Sequence, residues 1–571
     1  MDGPGSRYLN AGEAEVEATP FSRVFVTLSR QEHIELVCAA NSWKTLHRRA
    51  AERAVQIEAE CEVRLRRAQQ RADQREAELL GELEKAHARI RDLEHRFFGR
   101  KSERRWAVDD LHRHAPEPKR RRGQQRGASG HGRTRLEALP ARFEDVVLDS
   151  PVCPHCGDPL SPFPGTDDCE VLEVEVQAYR RVIRRRRYRR TCRCHGVAGI
   201  ITAPTPDRLI ARGKFGVSVW VQVLLDKFLY GRPTYRLLQD LADQGLTLSL
   251  GSVTGGLQAI APLFEPLKPA LLAKLRSEPH WHADETRWEV FAEVDGKVGH
   301  RWYLWVFASS SVAYYELDPS RSSTVPAEVL AGAQGGVISC DRHGAYKKFA
   351  RLHPGFTLSF CWVHQRRDLL NLANEYPAVA TWALAWVRCI GDLFALHSRR
   401  RDAPPESLQR AGLDRQLRAT VQEMAVKREA ALADPTLPAP AAKVLESMRD
   451  HWAGLTTFVE DPLLPMENNA AERALRGAVV GRKNFYGSGS RWSGELAATL
   501  FTVLMTMRRW RINPRTWLAA YLQACADHGN RPPPDPAAFL PWDMDAARLA
   551  AMRAAAVIDR DDHHRAGADP S

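Results

Sequence analysis

The sequence predicts a multidomain α+β protein, and three observations carry that prediction. At 571 residues the chain is too long for one hydrophobic core, so several domains are expected. Its patterning changes along the chain, from helical spacing to short aromatic and β-branched runs and back to helices. Between the first two regimes stand two tight cysteine groups, the mark of a small module folded around a metal.

Composition narrows the class of function. The 82 Lys+Arg residues exceed the 70 Asp+Glu and leave a net charge of +12. The excess is clustered in Lys119-Arg120-Arg121-Arg122 and in Arg180 to Arg193, which favours a nucleic-acid partner over general solubility. The N-terminus carries no secretion signal. The longest apolar stretch, Ala378 to Val387, stops at Arg388 after about ten residues, half of a membrane span, so no membrane partner is expected. Eleven cysteines make an odd count for a disulfide framework, and a reducing cytoplasm fits both facts.

Residues 1–46 carry no identifiable chemistry. Residues 47–98 contain no proline and one glycine, and Leu79, Leu83, Ala86, Ile90, Leu93 and Phe97 alternate at four-three spacing. That is a coiled-coil seam and implies a homo-oligomer, with Glu76 and Gln69 weakening it upstream. Residues 99–148 lose periodicity and read as a basic flexible linker whose Arg120, Arg121 and Arg122 can neutralise phosphates. Residues 149–212 hold Cys153-Pro-His-Cys156-Gly, a β-rich middle from Val171 to Arg187, and Cys192-Arg-Cys194-His195-Gly. Two such knuckles complete a tetrahedral structural Zn²⁺ site in a zinc-ribbon-like β module. Its ligands are read as Cys153, Cys156, Cys192 and His195, with Cys194 the alternative to His195. Residues 213–275 are helical, with a helix over Tyr235 to Gln244, a stop at Gly245 and a new start near Ser249 or Ser252. That is the order of a helix-turn-helix.

Chemistry concentrates in residues 276–510. Extended runs are predicted around Asp284, over Arg301 to Phe307, Val312 to Leu317, Gly336 to Asp341, and Thr357 to Trp362, with a helix from Thr324 to Leu330. Three meandering strands, a helix and further strands is the order of a ribonuclease H-like sheet, whose first and fourth strands are neighbours. Asp284 and Asp341 would then meet, an arrangement that is costly unless a cation offsets the two charges. Hard oxygen ligands suit Mg²⁺ or Mn²⁺, and two such ions serve in-line phosphoryl transfer. The third acid is assigned to Glu472, inside an Asn-capped helix start in Met466-Glu-Asn-Asn-Ala-Ala-Glu472-Arg473. Glu467 is the local rival. Residues about 369–460 form a helical insertion, and 511–571 a C-terminal element.

Taken together, these residues resemble the transposases of the insertion-sequence 66 family, bacterial DDE transposases. The resemblance rests on Phe97-Phe-Gly-Arg-Lys-Ser-Glu103, Gly130-His-Gly-Arg133, the double knuckle and His282-Ala-Asp284-Glu-Thr286. It continues through Asp341-Arg-His-Gly-Ala-Tyr346, Cys361-Trp-Val-His364-Gln-Arg-Arg367, Glu467-Asn-Asn-Ala-Ala-Glu472-Arg473, Gly481-Arg-Lys-Asn-Phe485 and Phe539-Leu-Pro-Trp542. It implies that Asp284, Asp341 and Glu472 are catalytic acids at a two-metal site that cleaves element ends and joins them to target DNA. It implies DNA and accessory transposition proteins as partners, and a cytoplasmic, nucleoid-associated protein. Arg473, Arg482 and Lys483 become natural phosphate contacts, while Cys361 and His364 read as a structural motif. A metal-dependent nuclease without strand transfer and a non-catalytic DNA-binding regulator are the competing readings.

Overall fold

The computed structural model describes residues 27–98, 154–161, 176–189, 191, 198, 200–292 and 300–553. The chain divides into two compact units, residues 1–99 and 100–571.

The first unit is one helix, α1 (Arg30–Phe98). It begins well before residue 47, where the sequence places the coiled coil. Nothing between Arg30 and Phe98 breaks it: the span has no proline, and its one glycine, Gly81, meets no atom within 4 Å of a built Cβ. The Glu32 carboxylate accepts the Ser29 N–H while the Ser29 hydroxyl accepts that of Glu32, closing the N-terminus. Leu79, Leu83, Ile90 and Leu93 are exposed on it.

The second unit opens with a short hairpin, β1 (Arg187–Arg189) paired with β2 (Ile200–Thr202). The β-rich stretch expected over Val171 to Arg187 is not formed in its described part. Residues 176–186 have no regular structure, because an exposed run of arginines has no apolar face to bury. Helices α2 (Val217–Leu224), which continues as a π-turn through Leu229, α3 (Thr234–Asp243), α4 (Leu250–Phe264) and α5 (Leu267–Arg276) follow. Gly245 carries the positive φ of 82° between α3 and α4, and the Ser249 hydroxyl caps α4 by accepting the Ser252 N–H at 3.1 Å.

Next come β3 (His280–Val290), β4 (Arg301–Ala308), β5 (Ala313–Asp318), α6 (Thr324–Val329), β6 (Gly336–Cys340), α7 (Gly344–Leu352) and β7 (Phe356–Phe360). The sheet order is β5-β4-β3-β6-β7. The strands β3, β4 and β5 are antiparallel, whereas β6 runs parallel to β3 and β7 to β6. The last strand stops at Phe360 rather than Trp362, because the Trp362 N–H leaves the ladder to bond Met466 O at 2.9 Å.

A helical block follows: α8 (Trp362–Glu375), α9 (Ala380–Asp402), α10 (Leu408–Leu432), α11 (Ala439–Asp450) and the single turn α12 (Trp452–Leu455). By length and composition the segment Pro377–Asp402 could cross a membrane, the one such helix among the described residues. Here α9 packs against α8 and α10, with Trp386, Ile390 and Leu393 fully buried.

The chain returns through α13 (Asn469–Phe485), β8 (Gly487–Ser488), α14 (Arg491–Arg509), α15 (Pro514–Asp527) and α16 (Ala546–Arg553). The short β8 pairs with the far end of β3, on the edge that β6 occupies at the near end. Gly487 permits this: at φ 143° a Cβ would lie 2.1 Å from Glu289 O. The outer edge of β5 is sealed by α14, whose Thr502 and Thr506 hydroxyls accept the backbone N–H groups of Tyr315 and Ala313. Trp281, Trp288, Trp305 and Tyr315 fill the core between sheet and helices with essentially no exposure.

Candidate active site

Alternation along β3 decides which side chains can meet. His282 is paired with Ser339 of β6. Two residues further along come Asp284, still in β3, and Asp341, just past the end of β6, and alternation puts Asp284 on the face of His282. That is also the face His282 turns toward Asn468, the residue before α13. Asp341 follows β6 in a tight turn, its Oδ1 accepting the His343 N–H at 2.9 Å. Glu472 lies in the first turn of α13.

The electrostatics follow from this crowding. Burial pushes the Asp284 carboxyl up to about 7, and the neighbouring charges of Glu285, Asp341 and Glu472 push the same way. The backbone N–H of Glu285, bonded to Asp284 Oδ1 at 2.9 Å, partly opposes them. Glu285 itself is engaged elsewhere: it pairs with Arg321 and accepts the Tyr346 hydroxyl at 2.6 Å. His282 is neutral, pushed down to about 3 chiefly by burial.

The set therefore offers oxygen donors and an uncompensated repulsion that a divalent cation would offset, which is the chemistry such an ion requires. Among the described residues no three His, Cys, Asp or Glu side chains have closed to metal-holding distance.

Asn468 departs from the expected cap. Its side chain makes no capping bond to α13. It is buried, donates Nδ2–H to Ala283 O at 2.8 Å, and faces His282 Nδ1 at 3.0 Å through Oδ1. The backbone carbonyl of Asn468 accepts the Glu472 N–H. Sequence reading missed Asn468, Glu285, Arg321 and Tyr346. The one available signal was period-two alternation, which puts His282 beside Asp284 and makes any partner of His282 a neighbour of the acid.

The expected phosphate contacts separate. Arg482 donates to Thr286 Oγ1 at 3.1 Å and to the Arg287 carbonyl, so it braces α13 on β3. Arg473, in the first turn, and Lys483, in the last, are exposed. Arg120, Arg121 and Arg122 lie outside the described residues, as do Cys153, Cys192, Cys194 and His195. Cys156 is an exposed free thiol in a turn ended by Gly157 at φ 82°. Cys361 is buried, and its Sγ accepts the Asn468 N–H at 3.3 Å. His364 is half-buried, with its Nδ1 unpartnered and its basicity lowered by burial.

Comparison with known proteins gives a consistent picture. Residues 212–496 match the family described as Transposase IS66 family. Among curated relatives, the uncharacterized protein y4jD of Sinorhizobium fredii (strain NBRC 101917 / NGR234) is 27% identical over 71% of this chain and 81% of its own. The uncharacterized protein y4hP of the same organism is 27% identical over 72% and 77%, and y4qI is 25% identical over 78% and 80%. No solved structure matches.

Proposed function

The chain belongs to the transposase IS66 family through residues 212–496, and on that premise we propose that it is a DDE-type transposase acting at insertion-sequence ends. Asp284, Asp341 and Glu472 would hold two divalent ions, Mg²⁺ or Mn²⁺. When bound, such ions stabilise the attacking and leaving oxygens of an in-line phosphoryl transfer. The observation that carries the reading is that the charges of Asp341 and Glu472 both act on Asp284, with Asp341 following the strand parallel to that of Asp284 and Asn468 tying the helix of Glu472 to it. The sheet order, with its first strand between the second and the fourth, supports a ribonuclease H-like core.

The chain's own residues supply position and charge. The Arg321 pair and the Tyr346 hydroxyl hold Glu285 away from Asp284, leaving that carboxylate for the ion. Arg473 and Lys483 stand on the same helix as Glu472, where cations would meet DNA phosphates. A basic ribbon supports DNA binding further: Arg180, Arg181, Arg184, Arg186, Arg187 and Arg189 are exposed, with no carboxylate partner among the described residues. Tyr179 and Tyr188 are exposed beside them. The Cys-Pro-His-Cys-Gly spacing, with a turn over 154–156 and Gly157 at φ 82°, supports Zn²⁺ held by Cys153, Cys156, Cys192 and His195 or Cys194. The exposed seam of α1 supports a homo-oligomer.

The test uses the full chain with labelled element ends. Asp284→Asn should lower cleavage and joining in Mg²⁺ by at least about 10²-fold. Without metal it should be more stable than wild type, because one repelling charge is gone. Mn²⁺ should raise the melting temperature of wild type and leave the variant unmoved. Wild-type cleavage by Asp284→Asn would sink the assignment, and cutting without joined product would favour a nuclease.

A further inference from the structure

We propose that Asn468 and Cys361 together form a positioning relay that sets the three acids in register for metal binding, an inference that rests on the assignment of those acids above. The relay is a short chain of bonds between residues adjacent to each acid. Asn468 Nδ2 donates to the carbonyl of Ala283, which precedes Asp284. The Asn468 backbone N–H donates to Cys361 Sγ. The Cys361 backbone N–H in turn donates at 3.1 Å to the carbonyl of Cys340, which precedes Asp341. The Asn468 carbonyl accepts the N–H of Glu472 itself. One buried side chain and one buried thiol therefore link the backbones carrying all three carboxylates.

The chemistry of both residues suits the task. The amide carries its donor and its acceptor on separate atoms, so it can donate to a strand carbonyl and accept from His282 at once. Its orientation is fixed, since Ala283 O needs the donor and Oδ1 then accepts from His282 Nδ1–H. A thiol sulfur is a weak, long-reach acceptor, which suits the 3.3 Å separation from the Asn468 N–H. This accounts for Cys361, beside which no second metal-ligating pair stands among the described residues: its work is to hold Asn468. Both act through the strand and helix backbones that carry the acids, so both are positioning residues. Groups that orient metal ligands typically affect metal affinity by about 10–100-fold.

The experiment measures Mn²⁺ binding to the full-length protein by calorimetry, together with hydrogen exchange in the absence of metal. Asn468→Ala and Cys361→Ala should each weaken Mn²⁺ binding by about tenfold or more. Cys361→Ser, which keeps an acceptor, should stay within about threefold of wild type. Exchange should quicken in the first turn of α13 and at the start of β3, with the rest of the sheet unchanged. If Asn468→Ala does not fold, the Cys361 pair carries the test. Wild-type Mn²⁺ affinity in both alanine variants overturns the relay, even where they melt earlier, because a merely structural role predicts that result. If wild type itself binds no Mn²⁺, or Asp284→Asn binds as wild type does, the acid assignment fails instead. The relay then falls with it, whereas Mn²⁺ binding lost in Asp284→Asn and kept in both alanine variants overturns the relay alone.

Discussion

The backbone N–H of Tyr315 donates to the hydroxyl of Thr502 at 2.9 Å, across 187 residues of chain. Both residues are buried, so this edge-strand donor has no access to water. Thr502→Val keeps the shape and removes the acceptor, leaving a buried N–H unpaired. The expected cost is about 1–3 kcal/mol, read by denaturant or thermal unfolding. Stability equal to wild type would show that the edge of β5 does not depend on α14 hydroxyls.

Gly487 and Gly489 make a controlled pair. A Cβ at Gly487 would collide with Glu289 O and adopt a strained positive φ, whereas one at Gly489 meets nothing within 4 Å. Gly487→Ala should destabilise by about 1–3 kcal/mol and free β8 from β3. Gly489→Ala should be close to neutral. Equal melting temperatures for the two variants would contradict the pairing.

His397 predicts a specific pH dependence. Its Nε2–H donates to Leu464 O at 3.0 Å, its Nδ1 is buried without a partner, and burial pushes its pKa down to about 4. The unfolded chain takes up the proton near 6.5 while the native protein refuses it until about 4. Stability should therefore fall as pH drops from 6.5 to 4, and level off below. The contribution is at most about 3 kcal/mol. His397→Gln should flatten that part of the wild-type profile, and an identical slope in the variant would exclude His397 as its source.

The arginine ribbon should appear in salt dependence. Replacing Arg184, Arg186 and Arg187 by Gln should weaken binding to any DNA sequence and lower the slope of log K against log salt by roughly 0.9 per lost phosphate contact. An unchanged slope in filter binding or fluorescence anisotropy would mean that these side chains face solvent in the complex.

The sequence made parts of this site legible and hid others for definite reasons. The expected adjacency of Asp284 and Asp341 has two sources: each strand announces itself in its aromatic and β-branched residues, and their succession matches the ribonuclease H-like order, whose first and fourth strands are neighbours. Glu472 could be read only through its motif, since the helical block from α8 to α12 separates it from the sheet. An Asn before a helix usually caps it, so the sequence predicts an Asn-capped start to α13, and the residue in that place is Asn468. Its side chain instead crosses to Ala283, which only the packing of α13 over β3 makes possible. Arg482, by sequence a natural phosphate contact, is spent on Thr286 and Arg287 for the same reason.

What the sequence by itself determined was the inventory and its order: a helical seam near the N-terminus, a basic stretch, cysteine pairs, a meander of strands, and three acids on or beside regular elements; that the first helix runs unbroken from Arg30 was not in it. Periodicity and glycine placement act over a few residues, so they survive in one dimension. Tertiary structure decided which polar side chains are consumed in holding elements together and which remain to act. That division depends on bonds spanning 185 residues in the case of Asn468 to Ala283. No local pattern encodes such a pairing, because it exists only once the core has brought α13 onto the sheet.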